Sequence, residues 1–317
     1  MGGRKAQTSS CGPHPNPPPL RRGGDIGNRV DYAAVVFLEI LYMIAFLALI
    51  SAGLAIVFGM MRVINLAHGE FVMLGGYITI ACAKVGINIY FAMLVLAPLA
   101  VGIWGLIVER VIIRFLYGRM IDVMLATWGL SLLMVGAVSM IFGTTAVSIP
   151  APIPGYQLGS YQMGGYNLFI IAITLLLVGA MWVVLRFTRA GLVARGAMQG
   201  PDVVAALGYD PRKVYMATFT VGAALSGLAG GVLAPLTGLL PSSGGAYIAK
   251  AFITVITGGA AVISGTLSSA ALFGIVNQLT SFEAGPVIGE IAMLALAIVL
   301  LRLMPQGITG RFFRGST

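Results

Sequence analysis

The chain alternates between long stretches free of charge and short stretches where charges gather. No Asp, Glu, Lys or Arg lies between Glu39 and Arg62, Lys84 and Glu109, Asp122 and Arg186, Lys213 and Lys250, or Lys250 and Glu283. About 20 apolar residues carry a helix across the hydrocarbon core of a bilayer. The gap from Asp122 to Arg186 has room for two such spans, and its middle, residues 144–167, is rich in Pro, Gly, Tyr and Gln and reads as a loop. The pattern predicts nine apolar helices, near 37–59, 70–86, 89–108, 123–142, 168–185, 214–236, 250–263, 267–282 and 288–303. The two between Lys250 and Phe282 are the shortest and read as a broken or re-entrant pair around Ser264-Gly265-Thr266. Such backbone is tolerated at membrane depth only where protein or a water-filled cavity covers it. The expected fold is an all-α integral membrane protein, a polytopic bundle of about 8–9 transmembrane helices with broken or re-entrant helices near 250–282.

Composition strengthens this picture. Of 317 residues, 58% are hydrophobic and 9% charged, with mean hydropathy +0.97. A soluble domain carries about 25% charged residues, so this chain lacks the side chains to cover a surface facing water. The 43 glycines and 16 methionines suit helices packed closely in lipid. The net charge of +9 does not point to nucleic acid, because the basic residues stand at the ends of apolar runs. That placement marks cytoplasmic loops.

Orientation follows from the same residues. The 109–122 loop carries Arg110, Arg114 and Arg119; the 186–213 loop carries Arg186, Arg189, Arg195, Arg212 and Lys213; the C-terminal stretch carries Arg302, Arg311 and Arg314. Loops 143–167 and 237–249 carry no Lys or Arg, and 283–290 carries only Glu283 and Glu290. The first group is expected in the cytoplasm and the second outside. Nine spans then put the N-terminus outside, although residues 1–32 hold Arg4, Lys5, Arg21, Arg22 and Arg29. Either the span count before residue 86 differs by one, or residues 1–32 are not a topogenic segment. They are rich in Pro and Gly, contain no signal-peptide apolar region, and are expected to be a disordered extension, as a mis-assigned start would also produce. Residues 33–304 are then the transmembrane domain and 305–317 a cytoplasmic tail.

The chain offers little for catalysis. No G-x-x-x-x-G-K-[ST] loop, H-E-x-x-H or G-x-S-x-G occurs, and the two cysteines, Cys11 and Cys82, form no metal-binding pattern. No catalytic residue, metal or cofactor is expected. The near absence of charge within the spans argues against a path coupled to ions, and so for energy supplied by a partner pushing on the longest cytoplasmic loop. There Pro201 suits a first helical turn, Val203, Val204, Ala206 and Leu207 recur at helical spacing, and Gly208 suits a C-terminal stop. A short amphipathic helix is expected near 201–207.

Ser51-Ala52-Gly53-Leu54-Ala55-Ile56-Val57-Phe58-Gly59, followed by Met60-Met61-Arg62-Val63-Ile64-Asn65-Leu66-Ala67-His68-Gly69-Glu70, resembles the opening of LivH-type permeases of branched-chain amino acid ABC importers. The loop from Gly191 to Gly208, the stretch from Thr218 to Pro235, and Ile256-Thr257-Gly258-Gly259 with Ser264-Gly265 resemble later parts of that family. The resemblance implies a second, LivM-like permease, two cytosolic ATP-binding subunits, an external solute-binding protein, and a seat in the inner (plasma) membrane. It implies that the 191–208 segment docks on an ATPase, with Arg195, Asp202, Ala205, Ala206, Leu207 and Gly208 carrying the link. Relatives of this architecture also carry urea or short amides, and a secondary transporter driven by ions is a third reading.

Arg62, Asn65, His68, Gly69 and Glu70 fall within nine residues at the expected edge of a span. They read either as a polar gate or brace, or as an interfacial turn in which Asn65 caps the next helix. Gly227 with Gly231, Ala270 with Gly274, and the Gly258-Gly259 pair are expected at close helix contacts, within the subunit or with a partner permease.

Overall fold

The computed structural model describes residues 25–158, 161–206, 208–259 and 261–312. Helix α1 (Asp25–Met61) opens the fold, so residues 25–32 of the expected N-terminal extension are helical and residues 1–24 lie outside the described part. Helices α2 (His68–Lys84), α3 (Ile89–Phe91) and α4 (Ala97–Val111) follow, the last two joined by a π-helical turn over Ala92–Leu96. Then come α5 (Met120–Phe142), a hairpin of strands β1 (Tyr156–Leu158) and β2 (Tyr161–Met163), and α6 (Gly165–Phe187). In β1–β2, Tyr156 pairs with Met163 and Leu158 with Tyr161. The chain continues through α7 (Arg189–Gln199), α8 (Pro201–Ala206), α9 (Pro211–Leu233), α10 (Ser243–Gly258), α11 (Val262–Ala284), α12 (Pro286–Leu303) and α13 (Gly307–Phe312).

Among the described residues, seven helical segments are long and apolar enough to cross a membrane: 32–61, 89–115, 120–142, 165–187, 211–233, 262–284 and 286–310. The other two apolar segments read from the sequence form the shorter helices α2, of 17 residues, and α10, of 16. The break before α11 lies elsewhere than expected. Gly259 takes a left-handed conformation (φ 83°) and α11 starts at Val262, so Ser264-Gly265-Thr266 lies inside that helix. Glycine reaches this conformation without the steric penalty of a Cβ. The expected tail is partly packed. The Thr309 hydroxyl of α13 donates to the Gly258 carbonyl (2.6 Å) and accepts from the Ala261 N–H (3.2 Å).

Helix α9 is the axis of the bundle. Gly222, Ser226 and Gly230, spaced by four, face α1 and α2, Ala223 and Gly227 face α4, and Gly231 sits where α2, the π-helical turn and the start of α4 meet. A Cβ on Gly53 would strike the Gly222 carbonyl, and one on Gly230 the Val72 carbonyl. Without a hydrophobic drive between helices in lipid, such close backbone approach is what holds them together. Helices α5 and α6 stand outside this core and each buries one stripe: Val123, Thr127, Leu130, Met134 and Val138 on α5, Tyr166, Ile170, Thr174, Leu177 and Met181 on α6. The remaining surface of α5 exposes Leu125, Trp128, Leu132, Leu133, Met140 and Ile141, as expected for a side turned to lipid.

The connections gather at two ends. A bridge between Val147 and Leu239 and the contact of Tyr32 with Phe282 define one end. Gly59 meeting Val262, and Tyr117 stacking with Tyr215, define the other. Arg114, Arg119, Arg186, Arg189, Arg195, Arg212 and Lys213 all belong to the second end, which the charge rule assigns to the cytoplasm.

Candidate functional site

The Arg62–Glu70 segment starts at the end of a span but does not stay there. Helix α1 ends where Arg62, exposed at the basic end, turns into the left-handed region (φ 51°). Val63, Ile64 and Asn65 are buried, and the chain climbs back into the bundle. His68 opens α2 beside Ile50, 11 residues before the end of α1, or about 16 Å along its axis.

The side chains of His68 and Glu70 and the Leu66 N–H tie this segment to other helices. His68 Nε2 lies 2.8 Å from the Ile50 carbonyl of α1 and Nδ1 lies 3.2 Å from Ser226 Oγ of α9. A carbonyl only accepts, so Nε2 carries the proton. The Ser226 hydroxyl is then shared between Nδ1 and the Gly222 carbonyl at 2.8 Å. The Leu66 N–H donates to Thr127 Oγ1 of α5 (3.1 Å), and Ser131 of the same helix donates to Glu70 Oε1 (3.0 Å). Asn65 is not the N-cap, a position held by Ala67. Its Oδ1 accepts from the Ala67 N–H (3.0 Å), and its carbonyl accepts from His68.

Gly69 and Glu70 face the start of α10. A Cβ on Gly69 would strike the Gly244 carbonyl, and one on Gly244 would strike the Glu70 carboxylate. That carboxylate thus lies against the first turn of α10, where the helix dipole favours negative charge. His68, Gly69 and Glu70 thus contact α1, α5, α9 and α10, Asn65 is buried beside them with local bonds only, and Arg62 stays outside this cluster. The sequence did not single out Ser131, Thr127 or Gly244, because a hydroxyl in an apolar helix looks alike whether it bonds its own backbone or a distant partner.

Glu109 and Glu290, read as residues of the 109–122 and 283–290 loops, lie inside helices, as do Glu39, Glu70 and Lys250, which the sequence already placed in helical segments. Glu39 accepts from Asn167 (3.1 Å), Glu109 accepts from Tyr117 (2.5 Å), and Lys250 pairs with Glu290 (2.6 Å).

At the basic end, Thr188 caps α7 by accepting from the Gly191 N–H. Ala194 and Met198 of that helix pack among Ile56, Met60, Met181 and Val262. Val204 anchors α8, while Asp202, Ala205 and Ala206 are exposed, as is Arg195 on α7. Gly208 closes α8 at φ 83°, with its N–H on the Ala205 carbonyl (3.0 Å) and the Tyr209 N–H on the Val204 carbonyl (3.1 Å). Asp210 then caps α9 by accepting from the Arg212 N–H (2.9 Å), with Pro211 in its first turn. Leu207 lies outside the described residues. An apolar cleft of about 700 Å³ opens between α1, α6, α7 and α9, with Arg189, Asp210 and Lys213 at its basic end.

The packing glycines meet partners within the subunit. Gly227 faces Ala97 and Val101, Gly231 faces Thr79 and Met93, Gly258 faces Gly265, and Gly274 faces Ile44. Gly259 lies against Gln306 and Gly307, and Ala270 is fully buried.

A family profile described as "Branched-chain amino acid transport system / permease component" matches residues 36–311. The chain is 29% identical over 280 residues to the high-affinity branched-chain amino acid transport system permease protein LivH of Escherichia coli, covering 83% of this chain and 91% of the relative. It is 28% identical over 282 residues to the permease protein BraD of Pseudomonas aeruginosa, with the same coverage. It is 28% identical over 282 residues to the probable permease LivH of Methanocaldococcus jannaschii, covering 83% and 88%. No solved structure matches. With 276 consecutive residues inside the matched region and the multi-helix membrane architecture that a permease requires, the chain belongs to the family of branched-chain amino acid transport system permease components.

Proposed function

We propose that this chain forms half of the translocation path of an importer for branched-chain or other hydrophobic amino acids, seated in the inner (plasma) membrane. A second, LivM-like permease supplies the other half. Two cytosolic subunits bind and hydrolyse ATP, and an external solute-binding protein delivers the solute. The observation that carries this reading is the α7–α8 hairpin at the basic end. It is anchored in the bundle through Ala194, Met198 and Val204 and offers Asp202, Ala205 and Ala206 outward. The Gly208 turn and the Asp210 cap connect it directly to α9, the helix that touches α1, α2 and α4. A push on α8 therefore reaches the axis of the bundle through one short, hydrogen-bonded turn. Rigid packed elements transmit displacement in this way.

The test uses the complete transporter in liposomes, with radiolabelled leucine and urea offered in parallel. Leucine uptake that requires ATP and the ATPase subunits supports the reading; urea uptake without leucine uptake, or leucine uptake by this chain alone under an ion gradient, overturns it. Gly208→Pro and Leu207→Asp address the link. Proline fixes φ near −65°, incompatible with the turn at Gly208. Normal uptake and normal ATPase association in both variants refute α8 as the coupling element.

A further inference from the structure

Of the charged residues set back from the helix ends, Glu39, Glu70 and Glu109 each meet a neutral hydrogen-bond donor: Asn167, Ser131 and Tyr117. Lys250 and Glu290 differ, because they meet each other across two helices at 2.6 Å and remain open, with side chains 20% and 55% exposed. Lys250 lies seven residues into α10 and Glu290 four residues into α12, so neither is at a helix end. A charge inside the apolar layer is costly when it faces hydrocarbon, and such groups normally face a bundle interior or a water-filled cavity.

Beside the pair, α12 exposes the large apolar Val287, Ile291 and Leu294, whereas the α10 surface next to Lys250 is of another kind. On α10 and the residue before it, the exposed positions are Ser242, Gly245, Ala246 and Ala249, all small. Exposed positions on α5 are large and apolar instead: Leu125, Leu132, Leu133 and Met140. Behind Lys250, the Phe46 ring of α1 lies 5.9 Å from Nζ. A ring face at that distance attracts the ammonium and fixes the position of the cation. The cleft at the basic end offers no comparable opposed pair deep among its walls, since its charged residues, Arg189, Asp210 and Lys213, stand at the rim.

We propose that Lys250 and Glu290 are the point on the solute path that receives the zwitterionic head of an amino acid, an inference that rests on the substrate class given under Proposed function. The solute carboxylate accepts from Lys250 Nζ and the solute ammonium donates to the Glu290 carboxylate. One ion pair opens and two form, so the group of charges stays neutral throughout. Neutrality limits the desolvation cost of charges held in a low dielectric. When the solute leaves, Lys250 and Glu290 close on each other again. A neutral amide has no charges to exchange and is not held.

The experiment uses the complete transporter in liposomes, with radiolabelled leucine and urea as probes and assembly checked by co-purification. Lys250→Met and Glu290→Gln are each expected to lower leucine uptake about tenfold or more, the effect of losing one charged hydrogen bond. The exchanged pair, Lys250→Glu with Glu290→Lys, restores an ion pair but inverts the order of charges that the solute meets, and is expected not to restore uptake. A second measurement does not depend on transport. With Cys11 and Cys82 replaced by serine, Ala249→Cys is expected to react with a membrane-impermeant thiol reagent, and Leu132→Cys is not. Undiminished uptake by the assembled single variants, full rescue by the exchanged pair, or an unreactive Ala249→Cys overturns the assignment. Wild-type transport of urea in place of leucine defeats the amino-acid reading itself, and the zwitterion site falls with it. Leucine transport by the wild type and by the variants alike defeats only the role of Lys250 and Glu290.

Discussion

Replacing Gly208 separates backbone strain from steric contact. Its φ of 83° lies where an L side chain is rarely found, yet a Cβ there would meet no heavy atom within 4 Å. The whole cost of a substitution is therefore conformational. Alanine in the left-handed region costs about 1–2 kcal/mol, whereas asparagine is tolerated there for much less. A β-branched valine costs more than alanine, since its side chain crowds the same carbonyl more severely. The turn has little reserve, being an exposed segment held by two backbone hydrogen bonds and the burial of Val204. Since about 1.4 kcal/mol is a tenfold change in population, alanine should deplete the native α8–α9 junction about fivefold to thirtyfold, and valine further. Leucine uptake by the assembled transporter should fall in the order glycine, asparagine, alanine, valine. The melting temperature of the membrane domain in detergent should barely move, because α9 itself keeps its packing. Equal uptake for alanine and valine at the wild-type level, or asparagine as damaging as valine, would show that the left-handed turn does not control coupling.

Gly230 needs the opposite test, because space and not conformation excludes a side chain. Gly230→Ala places a Cβ against the Val72 carbonyl and should destabilise the bundle by about 1–3 kcal/mol, seen as a lower melting temperature in detergent. Ser226→Ala removes the hydroxyl beside His68 Nδ1 and should cost about 1–3 kcal/mol for the buried nitrogen left unpaired, again read by thermal melting; Ser226→Thr separates loss of the hydroxyl from a change of size. Burial, followed by the hydrogen bond to Glu109, holds the Tyr117 phenol above its ordinary ionisation range. The unfolded chain ionises this phenol near pH 10, so the stability it contributes is complete below that pH and is lost as pH rises beyond it. Tyr117→Phe should therefore lower stability at neutral pH and flatten its decline in alkali; a melting profile from pH 7 to pH 11 that matches the wild type in shape would contradict this.

The sequence by itself determined that the chain lives in lipid, where its apolar helices fall and which loops are basic, because water excludes long apolar runs and each charge is costly within them. It also placed the α8 helix and the Gly208 stop, since proline and glycine act locally and their effect is written in single residues. Depth was decided by the tertiary structure. The spacing from Arg62 to Glu70 reads equally well as an interfacial turn, and only packing against Ile50, Ser226 and Gly244 carries it into the bundle. The same holds for Lys250 and Glu290, 40 residues apart, which a one-dimensional pattern treats as punctuation between spans. Partnership across helices depends on rotation and crossing angle, and in this chain those are set by where glycine lets two backbones meet.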